Sequence, residues 1–277
     1  MPQTAVITGA SAGIGLSFAR RLARDGYDLL LIARRLERLD AIASELQNLG
    51  RTVEVLAADL ATDDGVAAVE KRLEVLPDLA LLVNNAGFGV AGRFVDVPAV
   101  EHERMHRLHV LATLRLTHAA LRRMLPISRG AIINVSSVAG FSPSGGSVSY
   151  SATKNWMNAF TEGIWLELRA RGSGVTVQAL CPGFTYSEFH DVMQMDRSAI
   201  PRAWWTDADD VVSASLDGLA KRKLFVVPGW RYKVLVSAGQ VLPRGLVRTV
   251  SGWLARNYRD RATHLARKGP NGGPRYT

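Results

Sequence analysis

The turn "TGASAGIG" at residues 8–15 is the feature that most constrains what this chain can fold into. It follows the apolar, strand-like run "TAVIT", and the residues after it carry apolar side chains at helical spacing. A strand, a turn of small residues and a helix form the first half of a βαβ unit, so this stretch predicts a parallel sheet. Such a helix start also points free N–H groups and a positive dipole end at the turn. A tight strand–helix turn without any ligand is the alternative.

Strand-like and helix-like segments alternate along most of the chain, which predicts the α/β class and one doubly wound, Rossmann-like parallel sheet with helices on both faces. A long helical stretch is expected at about 98–125. Ligands bind beyond the carboxyl ends of the strands in such sheets. Because TGASAGIG, AADL, NNAG, NVSS and CPG all stand at such ends, we expect them to form one site. The seven strand-like segments are TAVIT, GYDLLLIA, TVEVLAADL, LALLVNNAG, GAIINVSS, GVTVQALCPG and KLFVVPG.

The length of 277 residues suits one α/β domain or two small ones. We predict one domain at residues 1–229, followed by a basic, apolar C-terminal extension at 230–277. Residues 220–277 hold 13 of the 34 lysines and arginines but one of the 25 acidic residues, Asp260. Residues 1–219 hold 21 basic against 24 acidic residues, which argues against nucleic acid as a partner. The sequence shows no apolar run of membrane-spanning length and no secretory signal, and Cys181 is its only cysteine, so we expect a cytoplasmic protein.

Two arginines, Arg34 and Arg35, follow the second predicted strand directly after Ala33. Dinucleotide-binding folds often carry an acidic residue here, which bonds the 2′-hydroxyl of the adenosine ribose. A carboxylate would repel a 2′-phosphate, whereas guanidinium groups attract it and bond it bidentately. The pair therefore favours NADP(H) over NAD(H). The alternative is two solvated charges ahead of a helix.

The stretch "SVSYSATKNW" places Tyr150 one helical turn before Lys154. A free phenol has a pKa of about 10, and a nearby ammonium group favours its ionised form, so the pair has the composition of an acid/base site. Tyrosine and lysine four residues apart are also ordinary on a helix surface. The pair alone does not choose between these interpretations.

Taken together, the motifs resemble those of the short-chain dehydrogenase/reductase family in its Tyr-x-x-x-Lys form. They occur in the family order across roughly the first 230 residues, so the resemblance is far more specific than any single motif. It implies a seven-stranded doubly wound sheet that binds NAD(P)(H). The matching stretches are TGASAGIG (8–15), ARR (33–35), AADL (57–60), NNAG (84–87), NVSS (134–137), YSATK (150–154) and CPG (181–183).

The resemblance also implies roles for individual residues. Tyr150 is expected to be the acid/base group, Lys154 to lower the pKa of Tyr150 and bond the nicotinamide ribose, and Ser137 to bond the substrate oxygen. Taken alone, Ser137 could be a strand cap and Asp59 a helix N-cap. The expected cofactor-binding residues are Gly9, Ser11, Ala12, Gly13, Ile14, Gly15, Arg34, Arg35, Asp59, Leu60, Asn85, Ala86, Gly87, Tyr150, Lys154, Pro182, Gly183, Phe184 and Ser187.

His109 stands where the family's catalytic group usually includes an asparagine, which is thought to hold a water molecule next to the lysine. An imidazole has one donor and one acceptor nitrogen and can hold such a water, so we expect a neutral His109 to replace the amide. A packed core histidine and a weakened enzyme are the alternatives. The histidines show no metal-ligand pattern, so no metal is expected.

The predicted function is an NADP(H)-dependent oxidoreductase that interconverts a ketone or aldehyde with an alcohol. A catalytically weakened member that acts as a dinucleotide-binding regulatory or scaffold protein is the alternative. The substrate lid is expected at about 184–206, and its methionines and aromatic residues suggest a bulky apolar substrate, unless they pack on the protein itself. A homo-oligomer, dimeric or tetrameric, is expected. Residues 230–261 are expected to contact an anionic membrane surface or an acidic partner, or else to pack on the body or a subunit interface.

Overall fold

Seven strands form one parallel sheet in the order β3-β2-β1-β4-β5-β6-β7 in a computed structural model of the chain. The structure describes residues 3–90, 92–143, 145–189 and 200–243, together with residues 245, 248 and 249. The order reverses between β1 and β4, so the sheet is doubly wound. Every neighbouring pair is parallel, as the strand–helix alternation predicts. The strands are β1 Thr4–Thr8, β2 Asp28–Ala33, β3 Val53–Ala57, β4 Leu79–Asn84, β5 Ala131–Val135, β6 Thr176–Leu180 and β7 Phe225–Val226.

Helices cover both faces of the sheet because successive strand residues point to opposite sides. In β1, Ala5 and Ile7 pack in the core under α1, α2 and α7, whereas Val6 packs in the core under α3, α5 and α6. Both faces of the strands are thus buried, as is typical of parallel sheets. These observations confirm the predicted fold class. The helices are α1 Gly13–Arg24, α2 Leu36–Gln47, α3 Asp63–Val75, α4 Ala99–His106, α5 Thr113–Met124, α6 Val148–Ala170, α7 Ala208–Ala220 and α8 Trp230–Val241.

The long helical stretch expected at about 98–125 is not one regular α-helix. Between α4 and α5, residues Arg107–Ala112 form a π-helical turn that contains His109. Such turns are rare and occur frequently at functional sites, because they rotate side chains relative to a regular helix. A 3₁₀ turn, Val138–Phe141, likewise follows β5 and positions the residues after Ser137.

The last described helix, α8, packs on the body mainly through Tyr232, while its other apolar side chains are largely exposed. Among the residues that the structure describes, no helix combines the length and the apolar character needed to cross a membrane. Residues 190–199 of the expected lid, including Met193 and Met195, lie outside the described residues, as does nearly all of the chain beyond residue 243.

Candidate active site

A cavity of about 740 Å³ lies beyond the carboxyl ends of the strands, where the sequence motifs meet. Nineteen of the 21 predicted site residues line it, whereas Gly15 and His109 do not. The expectation that the motifs form a single site therefore agrees with the structure. The predicted residues that line the cavity are Gly9, Ser11, Ala12, Gly13, Ile14, Arg34, Arg35, Asp59, Leu60, Asn85, Ala86, Gly87, Ser137, Tyr150, Lys154, Pro182, Gly183, Phe184 and Ser187.

The start of α1 fits an anionic ligand such as a pyrophosphate. Ala12, Gly13 and Ile14 line the cavity, and no side chain caps the first N–H groups of this helix. Its first turn carries no acidic residue, so the positive end of the helix dipole faces the cavity without compensation.

Gly15 serves packing, which differs from its predicted contact with the cofactor. A Cβ atom at this position would lie 2.3 Å from the carbonyl oxygen of Gly9 and 2.5 Å from Nδ2 of Asn85. Only glycine therefore allows α1 to approach the turn after β1 so closely.

Asn85 joins the turns that follow β1 and β4, at the point where the strand order reverses. Its Nδ2 donates to the carbonyl oxygens of Thr8 at 2.8 Å and Gly9 at 3.2 Å. The hydroxyl of Thr8 accepts from the backbone N–H groups of Asn85 at 2.9 Å and Ala86 at 3.0 Å. These bonds hold the glycine-rich turn against the NNAG turn and shape the floor of the cavity.

Arg34 and Arg35 lie at the rim of the cavity after β2, but their surroundings differ. Arg35 donates to Ser11 Oγ at 3.3 Å and to a carboxylate oxygen of Glu188 at 3.1 Å. Glu188 also accepts from Arg38 at 2.7 Å. Arg34 forms no ion pair with any other described residue. Sequence reasoning missed Glu188 and Arg38, because the first lies 153 residues away from Arg35.

Asp59 lies at the side of the cavity where the resemblance places the adenine. Its Oδ1 accepts from the backbone N–H of Ala61 at 3.0 Å, and the second carboxylate oxygen lies 3.8 Å from Arg104. Thr62, rather than Asp59, caps α3 by accepting from Gly65 at 3.1 Å. Arg104 also lines the cavity and was missed, since no motif surrounds it in the sequence.

Ser137, Tyr150 and Lys154 come together on one wall of the cavity. Ser137 precedes the 3₁₀ turn, and its hydroxyl accepts from Ala139 N–H at 3.1 Å and donates to the Pro182 carbonyl at 3.4 Å. Ser137 is therefore the N-cap of the 3₁₀ turn rather than a strand cap, and it also forms a hydrogen bond with Tyr150. Tyr150 and Lys154 lie on α6, one turn apart, as their spacing predicts.

The pKa of Tyr150 differs from the expectation that Lys154 lowers it. Burial raises the pKa of the Tyr150 phenol to about 12, with Cys181 adding to the rise and the hydrogen bond with Ser137 opposing it. The Nζ of Lys154 donates to the Val135 carbonyl at 2.8 Å and lies 5.7 Å from the centre of the Tyr150 ring. The phenol is therefore protonated at neutral pH and ready to donate.

Lys154 is buried as well, and burial lowers the pKa of its ammonium group to about 8. Burial likewise raises the pKa of the Cys181 thiol to about 12, so the thiol is protonated and neutral at neutral pH. Cys181 is fully buried after β6, which agrees with an inert thiol. Of Tyr150, Lys154 and Cys181, Lys154 is thus the group whose pKa lies closest to neutrality.

His109 lies behind the wall of the cavity and is fully buried. Phe88 N–H donates to its Nε2 at 3.2 Å, so the ring hydrogen is on Nδ1, which donates to Thr153 Oγ1 at 2.9 Å. Thr153 in turn donates to the backbone carbonyl of Tyr150 at 2.9 Å. Both nitrogens are taken by protein groups, so the ring does not hold the water expected of it. His109 instead connects the NNAG turn to α6.

The two ends of the lid segment, residues 184–206, are joined at its base. Thr206 N–H donates to the Phe184 carbonyl at 2.9 Å, and Tyr186 N–H donates to the Thr206 carbonyl at 3.1 Å. Tyr232 of α8 binds both ends, since its hydroxyl accepts from Phe184 N–H at 3.0 Å and donates to the Trp204 carbonyl at 2.6 Å. Helix α8 therefore positions the lid segment.

The aromatic residues of the lid segment divide into two groups. Phe184 and Phe189 line the cavity, and the ring centre of Phe189 lies 5.8 Å from that of Tyr150. Tyr186 stacks on Trp205 at 4.9 Å, and Trp204 contacts Tyr232 at 5.4 Å. Three of the five described aromatic residues in this segment thus pack on the protein, as the alternative interpretation expected.

The geometry of this cleft agrees with the known proteins that the chain resembles. The chain matches the family described as short chain dehydrogenase over residues 3–197. A short-chain dehydrogenase from Sphingobium yanoikuyae in complex with NADPH is 39% identical, with a TM-score of 0.79 over 87% of this chain and 94% of that one. The bulky-bulky ketone specific alcohol dehydrogenase from Comamonas testosteroni is 35% identical, with a TM-score of 0.75 over 87% and 92%.

A curated protein, sulfoacetaldehyde reductase from Chromohalobacter salexigens, is 37% identical over 68% of this chain and 75% of its own length. The family match covers well over half of the chain, and the structure has the doubly wound sheet of the solved relatives. The chain therefore belongs to the short-chain dehydrogenase/reductase family of oxidoreductases that act on alcohol and carbonyl groups with a nicotinamide dinucleotide.

Proposed function

We propose that this oxidoreductase uses NADP(H) to interconvert a ketone or aldehyde with the corresponding alcohol. One observation carries the proposal: a single cavity is lined by Ser137, Tyr150 and Lys154 and also by Arg34 and Arg35. Guanidinium groups complement a 2′-phosphate, and neither residue directly after Ala33 is acidic. The Sphingobium relative was solved with NADPH, which supports the same choice.

When bound, NADPH supplies a hydride to the carbonyl carbon. The residues of this chain manage the charge that then develops on the carbonyl oxygen. Tyr150 is protonated at neutral pH and donates its proton to that oxygen. Ser137 supplies a second hydrogen bond by turning its hydroxyl from the Pro182 carbonyl, a 3.4 Å contact that costs little to break.

Lys154 places a positive charge beneath the Tyr150 ring and stabilises a phenolate when the proton leaves. We propose that it also bonds the nicotinamide ribose, while the uncapped start of α1 holds the pyrophosphate. His109 holds the backbone of Phe88 directly and that of Tyr150 through Thr153, and it exchanges no proton with the substrate.

A bulky apolar substrate is the proposed substrate class. Phe88, Phe184, Phe189 and Ile200 line the cavity next to the Tyr150 wall. The Comamonas relative bears the name of a bulky-bulky ketone specific enzyme, whereas the Chromohalobacter relative is named for a small polar aldehyde. The rings that face the cavity favour the first of these two classes.

The decisive experiment follows NADPH absorbance with a panel of aryl and long-chain ketones and with short polar aldehydes as the matched control. We expect turnover with the bulky ketones and a higher kcat/KM with NADPH than with NADH. Dinucleotide binding without turnover of any carbonyl compound would instead support the weakened regulatory protein, which the replacement of the usual asparagine by His109 suggested.

The partners predicted from the sequence are proposals as well. We propose a homo-oligomer and a salt-sensitive contact of residues 230–261 with an anionic surface. Within α8, Trp230, Val234 and Leu235 are each more than half exposed. Sedimentation with anionic and neutral liposomes tests the surface contact, and sedimentation equilibrium tests the oligomer. Truncation at residue 230 is unsuitable, because it removes Tyr232 from the lid segment.

A further inference from the structure

Glu188 of the lid segment forms ion pairs with Arg35, which the cofactor is proposed to use, and with Arg38. Its Oε1 accepts from Arg38 at 2.7 Å, and its Oε2 accepts from Arg35 at 3.1 Å. These two guanidinium groups hold the pKa of Glu188 below its usual value, Arg38 having the larger effect. The carboxylate is therefore ionised at neutral pH, and it lines the cavity beside Ser187.

Arg35 connects Glu188 to the glycine-rich turn. One of its terminal nitrogens, Nη2, contacts both Ser11 Oγ at 3.3 Å and the carboxylate of Glu188 at 3.1 Å. This places Arg35 between the turn proposed to hold the pyrophosphate and the lid segment. A terminal guanidinium nitrogen carries two N–H donors, and Ser11 and Glu188 accept from Nη2, so a phosphate that approaches this nitrogen competes with the carboxylate for it.

We propose that Glu188 is a specificity-determining residue whose carboxylate competes with the 2′-phosphate of NADP(H) for Arg35. This inference rests on the proposed use of NADP(H), and it assigns to Glu188 a weakening of NADP(H) binding. A 2′-phosphate that takes the Nη2 donor displaces Glu188 and is repelled by its negative charge, whereas NAD(H) carries no 2′-phosphate and leaves the ion pair intact. Glu188 therefore reduces the preference for NADP(H) over NAD(H) below the value that the arginines alone would give.

The size of the effect follows from the exposure of the pairs. The side chains of Glu188, Arg35 and Arg38 are 47–48% exposed, so solvent and salt screen their attraction. Exposed ion pairs change an equilibrium constant by at most about fivefold each. Glu188→Gln keeps the shape of the side chain and removes its charge. We expect it to tighten NADPH binding about three- to tenfold and to leave NADH binding unchanged.

The experiment measures dissociation constants of the full chain for NADPH, NADH, 2′,5′-ADP and 5′-AMP by titration calorimetry. The matched control is Glu45→Gln, which breaks an equally exposed pair with Arg20 that does not line the cavity. Glu188→Ala serves as a second variant without a side-chain amide. The double variant Arg35→Met/Glu188→Gln tests whether the effect passes through Arg35.

The expected pattern is tighter binding of NADPH and 2′,5′-ADP by Glu188→Gln and Glu188→Ala, no change with Glu45→Gln, and no gain from removing Glu188 when Arg35 is absent. The gain should shrink as ionic strength rises. Equal effects on NADPH and NADH, or unchanged NADPH binding, would overturn the inference. Binding is measured here without turnover. If the protein shows this binding pattern but reduces no carbonyl compound, the proposed function is wrong and the inference about Glu188 still holds.

Discussion

Replacing His109 by asparagine tests the central structural conclusion about the site, namely that this histidine is a neutral positioning residue. Protonation would place a hydrogen on Nε2, which accepts from Phe88 N–H at 3.2 Å. Burial, followed by the charges of Lys154 and His106, lowers the pKa of His109 well below 6.5. The folded protein therefore excludes the imidazolium form, whereas the unfolded chain accepts the proton near pH 6.5.

The magnitude follows from proton linkage. Below pH 6.5 the unfolded state binds one proton more than the folded state at this residue, so the free energy of unfolding falls as the pH falls. With an unfolded pKa of 6.5, a ring that stays neutral in the folded protein costs about 1.4 kcal/mol at pH 5.5 and about 2 kcal/mol at pH 5. Asparagine does not titrate, so His109→Asn should lose this part of the pH dependence.

The assay is urea unfolding of the wild type and of His109→Asn at pH 7.5 and pH 5. At pH 7.5 the variant should be less stable by about 1–3 kcal/mol, because asparagine does not reach both Phe88 N–H and Thr153. Its loss between pH 7.5 and pH 5 should be about 2 kcal/mol smaller than that of the wild type. His118→Asn, at an exposed position of α5, is the control.

An equal pH dependence of unfolding in the wild type and His109→Asn would refute the neutral, buried histidine. The same reasoning predicts how activity depends on pH. Because the pKa lies well below 6.5, kcat/KM should show no limb near pH 6–7 that depends on His109. Such a limb, abolished in His109→Asn, would show that the ring exchanges a proton during turnover.

Three further substitutions test the cavity. Tyr150→Phe should lower turnover by about 10²–10⁴-fold while NADPH affinity, measured by fluorescence titration, stays near wild type; retained turnover would assign the proton to another group. Arg34→Met should weaken NADPH binding by about 1–3 kcal/mol and leave NADH binding unchanged in the same titration. An equal loss of binding for both cofactors would place Arg34 outside the phosphate site. Gly183→Ala, whose methyl group would lie 2.0 Å from the Tyr232 ring, should lower the unfolding free energy by about 1–3 kcal/mol in urea, whereas Gly163→Ala, with nothing within 4 Å, should raise it by up to about 1 kcal/mol.

The fold was predictable because its signals are local. The strands are short, mostly apolar runs, several of them followed by a turn of small residues, and a parallel sheet buries both faces of such strands. The topology of a parallel sheet brings the carboxyl ends of the strands to one edge. The meeting of TGASAGIG and NNAG is therefore predictable without knowing their contacts. The common face of Tyr150 and Lys154 was predictable from their spacing for the same reason, because residues one helical turn apart share a face.

Features set by distant contacts were not predictable. The ion pairs of Glu188 join residues 150 and 153 positions apart, and its lid segment offers no motif that points to α2. Burial by several elements raises the pKa of Tyr150, and the spacing to a neighbouring lysine does not reveal that burial. Gly15 was assigned to the cofactor through the family resemblance, whereas its close approach to the carbonyl of Gly9 accounts for a glycine at this position.

Tyr232 of helix α8 contacts the lid segment, although it belongs to none of the sequence motifs. Its hydroxyl binds Phe184 and Trp204, at both ends of the lid segment, and its ring packs against Gly183. Tyr232→Phe keeps the ring but removes the two hydrogen bonds of the hydroxyl, one from Phe184 N–H and one to the Trp204 carbonyl, which loosens the wall of the substrate site.

We therefore expect KM for a bulky ketone to rise about three- to tenfold, with kcat and NADPH affinity close to wild type. The control is Tyr27→Phe, the same chemical change before the first residue of β2, at the edge of the sheet opposite the cavity. A lower stability with an unchanged KM would show that the hydroxyl of Tyr232 supports the fold and takes no part in positioning the lid. A rise in KM that leaves kcat intact is the result that a merely structural role would not produce.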